Sequence, residues 1–355
     1  MQRVLFDSLG KVRRSLGDDL FRVRPVIYWL DFTSSIVIAW ISFCLTLPRF
    51  SPTLLAQIAW FSISVLAFYR GLFFIHEIIH IRREKLRAFR WIWNAMCGIT
   101  FFLPDFTYII HLAHHSTATF STNDDPEYVP MAYQKPLQLL APFLIFPFVP
   151  LVMMLRFLVA GPLSWIIGGK FREWLLRSAS SLKMNPNFEW KNITDDDRRL
   201  ALTQEIGCAI WWSGFLGLAF STGEPGVVTH WYLVYYLILT VNHIRSLVAH
   251  RYINESGGKV SYEDQLLDSI TITSSSPLAV LLAPVGLRYH SLHHLFPTLP
   301  YHAYGEAHRR LVKVLPADHI YMKTLVPGVT PAFRAFLASV TTPRAASVRV
   351  ASAQQ

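Results

Sequence analysis

The sequence predicts an all-α integral membrane protein, with about four transmembrane helices and a cytoplasmic histidine-rich cap. Three observations predict it. Of 355 residues, 52% are hydrophobic and only 16% are charged, against about 25% charged in an ordinary soluble domain. Several apolar runs reach the roughly 20 residues that a helix needs to cross a bilayer. Eight of the 14 histidines fall in three short boxes, all on one predicted face of the membrane.

The elements follow in order. Residues 1–25 carry Arg3, Lys11, Arg13, Arg14, Arg22 and Arg24, with Leu5, Leu9, Val12, Leu16 and Leu20 at steps of three and four. This pattern predicts a basic amphipathic helix on the membrane surface. Asp7, Asp18 and Asp19 count against a mitochondrial presequence, and no cleavable signal peptide is evident. A first crossing is placed near residues 27–47. The turn Pro48-Arg49-Phe50-Ser51-Pro52 leads into a second, which runs to about Ile75 with Arg70 near its end, free to snorkel. The third apolar region, Leu137–Ile167, is cut by Pro142, Pro147, Pro150, Gly161 and Pro162. Those breakers predict a re-entrant or interfacial hairpin. After a polar segment, 170–199, the last pair of crossings is expected at 202–220 and 227–247.

Charge orients the chain. The two short connections hold Arg49 and Glu224, while nearly all other Lys and Arg lie on the opposite side. The positive-inside rule makes that side, which carries every histidine box, cytoplasmic. A bacterial inner membrane or the endoplasmic reticulum is the expected location. Orientation accounts for the net charge of +10 without invoking nucleic acid. The basic stretch 82–90 reads as a surface anchor or as a dock for an acidic electron carrier. Cys44, Cys97 and Cys208 are far apart in apolar stretches, form no CxxC pair and read as small buried apolar residues. A single domain is expected over 1–343, with an Ala- and Ser-rich disordered tail at 344–355.

The boxes are His76-Glu77-Ile78-Ile79-His80, His111-Leu112-Ala113-His114-His115 and His290-Ser291-Leu292-His293-His294. On a helix, residues three and four apart share a face, so each box aims two or three imidazoles at one locus. The first box fits H-E-x-x-H, the zinc-protease pattern. A catalytic zinc takes three protein ligands, however, which leaves the other two boxes unexplained. Two metal ions with four or five ligands each use all eight histidines. Imidazole suits iron, copper and zinc alike. Beside a bilayer, a redox metal suggests oxygen chemistry on a lipid chain, because an unactivated C–H bond needs a cofactor's oxidant. Glu77 is turned about 100° from its neighbour His76; it either orients an imidazole or pairs with an arginine. Asp124 and Asp125 either hold the outer nitrogen of a ligand or form an Asp-Pro turn.

From about residue 70 to 315 the chain resembles the membrane fatty acid desaturase/hydroxylase superfamily, and most closely acyl-lipid desaturases. HEIIH resembles its first box, HLAHHSTATFSTNDDPEY its second and RYHSLHHLFPTLPYHAYGEAH its third. NHIRSLVAHRY resembles the stretch that supplies one further ligand. The resemblance implies a four-crossing helical mushroom whose cap holds two iron ions, with O2 as co-substrate. It makes His250 a ninth ligand, rather than His243 seven residues earlier, with Asn242 and Arg245 in the surrounding layer. Ala249 departs from the family, where Glu is frequent. The implied reaction is desaturation of a fatty acyl chain, with no catalytic side chain beyond the metal centre. A hydroxylase or ketolase acting on an alkane, carotenoid or sphingolipid is the alternative; a bis-histidine haem electron carrier is an alternative from another class. Electrons are expected from a separate ferredoxin or cytochrome b5, since no His-Pro-Gly-Gly haem motif is present. Trp91, Trp93, Phe101, Phe102, Phe106 and Tyr108 are either walls of a substrate tunnel or ordinary packing.

Overall fold

Proline and cap chemistry set where the long helices start. In the computed structural model, which describes residues 10 and 12–341, Pro25 opens the helix Pro25–Leu45, where its missing N–H costs no hydrogen bond. The Thr53 hydroxyl accepts from the Ala56 amide (3.3 Å) and caps Leu54–Leu72. Thr194 and Asp197 form a capping box on Asp195–Ser221, with three aspartates in its first turn where the helix dipole favours anions. The protein is mostly helical; its two-residue strands, Thr271–Ile272 and Leu325–Val326, pair in parallel.

Among the described residues, three stretches are long and apolar enough to cross a membrane: Pro25–Leu45, Leu54–His80 and Leu137–Ile167. The helices Asp195–Ser221 and Gly226–Ser246 contain the last two expected crossings but are not in that apolar set. The first two helices interlock through edge-on rings, Trp40 on Phe68 at 5.1 Å and Phe43 on Phe68 at 6.4 Å. Arg70 does not snorkel. It forms a two-pronged ion pair with Asp31 of the neighbouring helix (2.8 and 2.5 Å), a geometry that suits a guanidinium better than solvent would at that depth. Arg49 pairs with Glu224 at 3.2 Å, so the two short connections adjoin.

The third apolar region is not a hairpin. The chain stays helical from Pro136 to Ile167, through one 3-10 turn at Phe146–Phe148 and a π-bulge at Arg156–Ala160. Pro150 and Pro162 fall in the first turn of their segments, where a missing N–H is tolerated. The bulge aims Arg156 at the helix Asp195–Ser221, where its guanidinium meets Glu205 (2.5 Å). Arg172 reaches the same carboxylate (2.6 Å), which is fully buried. Glu205→Ala strands buried guanidinium charge and is expected to cost about 3–5 kcal/mol, read as a lower unfolding temperature in detergent.

The N-terminal pattern also lands elsewhere than expected. Val12, Leu16 and Leu20 are buried in the main core, and Arg310 donates to the Leu16 carbonyl (2.5 Å). The protein, not the bilayer surface, takes up that face. Leu5, Leu9 and the tail 344–355 lie outside the described residues. Cys97 and Cys208 are buried, but Cys44 is exposed, on an outward face of the first helix where a membrane span meets lipid.

Candidate metal centre

Box one continues the second long helix: after a break at Phe73, the helix Phe74–His80 carries both histidines. Box two is the short helix His111–His114 followed by His115, and box three the helix His290–Leu295. His250 is not helical. The helix before it ends at Ser246, and His250 pairs by its backbone with Ser269 in an extended segment.

These elements converge on two groups. His76, His80, His111, His115 and His293 form one; His114, His250, His290 and His294 form the other. Within each group one nitrogen from every ring lies within 4.8 Å of all the others. Seven of the nine side chains are buried; His80 and His115 are half-buried. Boxes two and three each split the same way. The pair spaced by four residues, His111 with His115 or His290 with His294, enters one group, and the remaining histidine enters the other. His243 joins neither; its ring packs edge-on against Phe143 (5.2 Å) and Phe146 (5.4 Å).

Four groups orient the rings from behind. His111 Nδ1 meets Glu127 (2.7 Å), His114 Nδ1 meets Asp125 (3.0 Å), His250 Nδ1 meets Asp268 (3.0 Å), and His293 Nδ1 meets the Tyr304 hydroxyl (2.8 Å). A carboxylate accepts the Nδ1 proton and leaves the Nε2 lone pair facing inward. Asp125 is itself pinned by the backbone N–H groups of Ser121 (2.7 Å) and Glu127 (2.9 Å). Burial alone would raise its pKa, but His114 and those N–H groups outweigh burial and lower it. Burial raises Glu127 to about 7. His111, His115, His290, His293 and His294 are held well below the usual imidazole range, first by burial and then by neighbouring histidines. They are therefore neutral, the form that binds metal.

The donor set fits a cation in each group. His114 and His250 both give their Nδ1 protons to carboxylates, yet their Nε2 atoms face each other at 3.2 Å. Two lone pairs at that distance repel unless a proton or a metal ion lies between them. Burial alone would lower the His114 pKa, but Asp125 outweighs it and raises it, so the ring favours a positive partner at that point. The other Nε2 pairs stand at 2.8 Å (His290 with His250), 3.2 Å (His294 with His290), 3.0 Å (His115 with His111) and 2.9 Å (His293 with His115). Adjacent nitrogens bound to one ion at roughly 2.1 Å lie about 3.0 to 3.4 Å apart, for right-angled to tetrahedral geometry. Among the described residues, buried His76 Nδ1 and Nε2 and His80 Nε2 have no hydrogen-bond partner, and a metal would take one nitrogen of each ring.

Several expected neighbours do other work. Among the described residues, Glu77 bonds to no imidazole and no arginine. It accepts from the Tyr28 hydroxyl (2.8 Å) and the Tyr301 amide (3.0 Å), so it ties the first helix to the segment after box three. It is not placed as a protease base. Asp124 is exposed and pairs with Lys191 (2.7 Å). Asn242 and Arg245 bond to each other (3.1 Å) and line a cavity beside the histidines rather than touching a ring. Of the six aromatic residues considered as tunnel walls, only Tyr108 lines that cavity; Phe102, for instance, stacks on Trp212 (4.7 Å) in the core. Sequence reading missed Glu127, Asp268 and Tyr304. Glu127 directly follows Asp-Asp-Pro and was within reach of a local argument, but Asp268 and Tyr304 were not.

Comparison with known proteins agrees with this geometry. The family model described as "Fatty acid desaturase" matches residues 51–325. A ceramide hydroxylase of Caulobacter vibrioides (strain NA1000 / CB15N) is 37% identical over 324 residues, covering 91% of each chain. No solved structure matches. That coverage, over boxes whose histidines converge in two groups, means that the chain belongs to the fatty acid desaturase family of di-iron oxidoreductases.

Proposed function

We propose that the protein is an O2-dependent lipid hydroxylase acting on a ceramide-class substrate. The observation that carries this reading is the 37% identity to a ceramide hydroxylase over 91% of both chains. In this reading His76, His80, His111, His115 and His293 hold one iron, and His114, His250, His290 and His294 the other. Bound there, an iron pair supplies O2 activation and an oxidant equal to an unactivated C–H bond. The protein contributes position. Asp125, Glu127, Asp268 and Tyr304 fix the imidazoles, and the adjoining cavity holds the lipid still and dry. Electrons arrive from a separate ferredoxin or cytochrome b5 type of carrier on the cytoplasmic side, where the boxes lie. The family description and the H-H-L-F-P and Asp-Asp-Pro contexts favour a second reading, desaturation of an acyl chain. A haem carrier is not favoured: neighbouring nitrogens about 3 Å apart leave no space for a porphyrin plane between them.

Lipid analysis of a host expressing the protein separates the readings. Hydroxylation adds one oxygen to ceramide, whereas desaturation removes two hydrogens from an acyl chain. New hydroxylated ceramide is expected, and its loss when the metal is chelated. Appearance of unsaturated lipid with no added oxygen would restore the desaturase reading.

A further inference from the structure

Arg245 is half-buried in the last turn of Gly226–Ser246, where two cavities meet. The outer cavity, about 120 Å³, has an apolar wall that includes Leu72, Phe73, Leu103, Ile238 and Leu239. The inner one, about 20 Å³, is lined by histidines of both groups, among them His76, His111, His114 and His290. Arg245, Tyr108 and Glu127 line both.

The guanidinium hydrogen-bonds only to neutral groups among the described residues. Its Nε donates to Asn242 Oδ1 (3.1 Å), its Nη2 to Ser246 Oγ (3.2 Å), and its plane lies over the Phe73 ring (5.3 Å). Other arginines among the helices have a carboxylate or several carbonyls: Arg70 has Asp31, Arg90 has Asp105, Arg156 and Arg172 share Glu205, and Arg288 donates to the Thr273 and Ser274 carbonyls. Among the described residues no carboxylate pairs with Arg245. Glu127, on the same cavity wall, is already taken by His111 and Tyr108. Arg245 Nη1 and the Asn242 amide N–H groups thus remain as donors beside the apolar wall of the cavity. Leaving a half-buried cation without a counter-charge is costly. A ligand bearing acceptor oxygens recovers that cost.

We propose that Arg245 and Asn242 are a head-group clamp, donating hydrogen bonds to the amide carbonyl and hydroxyl oxygens of the lipid. The proposal rests on the ceramide reading above and extends it to orientation. The polar head sits at the join of the cavities, and the apolar chain runs back along the Leu103 and Ile238 wall. The carbons facing the histidine groups are then those close to the amide, not those in mid-chain. Arg245 and Asn242 are positioning residues; they touch substrate oxygens and not the metal.

The test uses full-length protein in detergent, a short-chain ceramide, and a long-chain alkane as a ligand without acceptor oxygens. Arg245→Met keeps the stem and removes the donors. It is expected to weaken ceramide binding to the metal-free protein about 10- to 100-fold and to leave alkane binding unchanged. In the iron-loaded enzyme it raises KM for ceramide and spreads hydroxylation away from the amide, while iron content stays as in the wild type. Arg245→Lys recovers part of the affinity, and Asn242→Leu weakens it in the same direction. Unchanged ceramide binding and product position in Arg245→Met would overturn the clamp. Loss of iron or of folding in that variant would also overturn it, by making Arg245 structural. Wild-type enzyme that leaves ceramide unmodified sinks the ceramide reading instead, and the binding comparison then judges the clamp alone.

Discussion

Replacing His250 by alanine is expected to bring product below detection and to remove one of the two irons, while His243→Ala keeps both. The two positions are seven residues apart in one stretch of chain, but their surroundings differ in kind. His250 Nε2 lies 2.8 Å from His290 Nε2 and 3.2 Å from His114 Nε2, while Asp268 holds its other nitrogen. Removing it leaves its group with three imidazoles and a buried Asp268 without its imidazole partner. His243 faces two phenylalanine rings. The same loss is expected for alanine at His111 or His290, with the protein still in the membrane, because the long helices are held by apolar packing and not by metal. Iron counting and product analysis on the paired variants decide the matter. Iron retained in His250→Ala but lost in His243→Ala would reverse the assignment.

Asp125→Asn is expected to lower metal affinity about 10- to 100-fold, the usual cost of removing a partner behind a ligating histidine, while Asp124→Asn changes it little. The two aspartates are adjacent in sequence and opposite in setting. Asp125 is fully buried against His114, whereas Asp124 is exposed beside Lys191, and solvent screens an exposed pair of that kind so that it contributes little. An amide at Asp125 can still accept from His114 Nδ1 but no longer supplies the charge that strengthens the ring as a donor. Titration of iron into metal-free protein reads the difference directly. Equal affinities in the two variants would assign Asp125 to loop structure alone.

What the sequence determined by itself is local. Hydropathy predicted the apolar stretches, the turn at 48–52 divided the first two, and three- and four-residue spacing grouped eight histidines. Each depends on neighbours within one or two turns, so it can be read without the fold. The tertiary structure decided what local spacing leaves open. The motif H-x-x-H-H sets the angles between imidazoles on one helix but not which group each ring enters; that depends on how three boxes pack together. Glu77 found Tyr28, 49 positions away, and His250 found Asp268 through backbone pairing of two extended segments. The prolines of Leu137–Ile167 predicted a reversal, but 3-10 and π turns absorbed them within one helical run. Arg70, Arg156 and Arg245 carry the same guanidinium in sequence, and only their depth and neighbours separate ion pairs from a cation left facing a cavity. Charge inside a low-dielectric interior is governed by its partners, and partners are assigned by long-range packing.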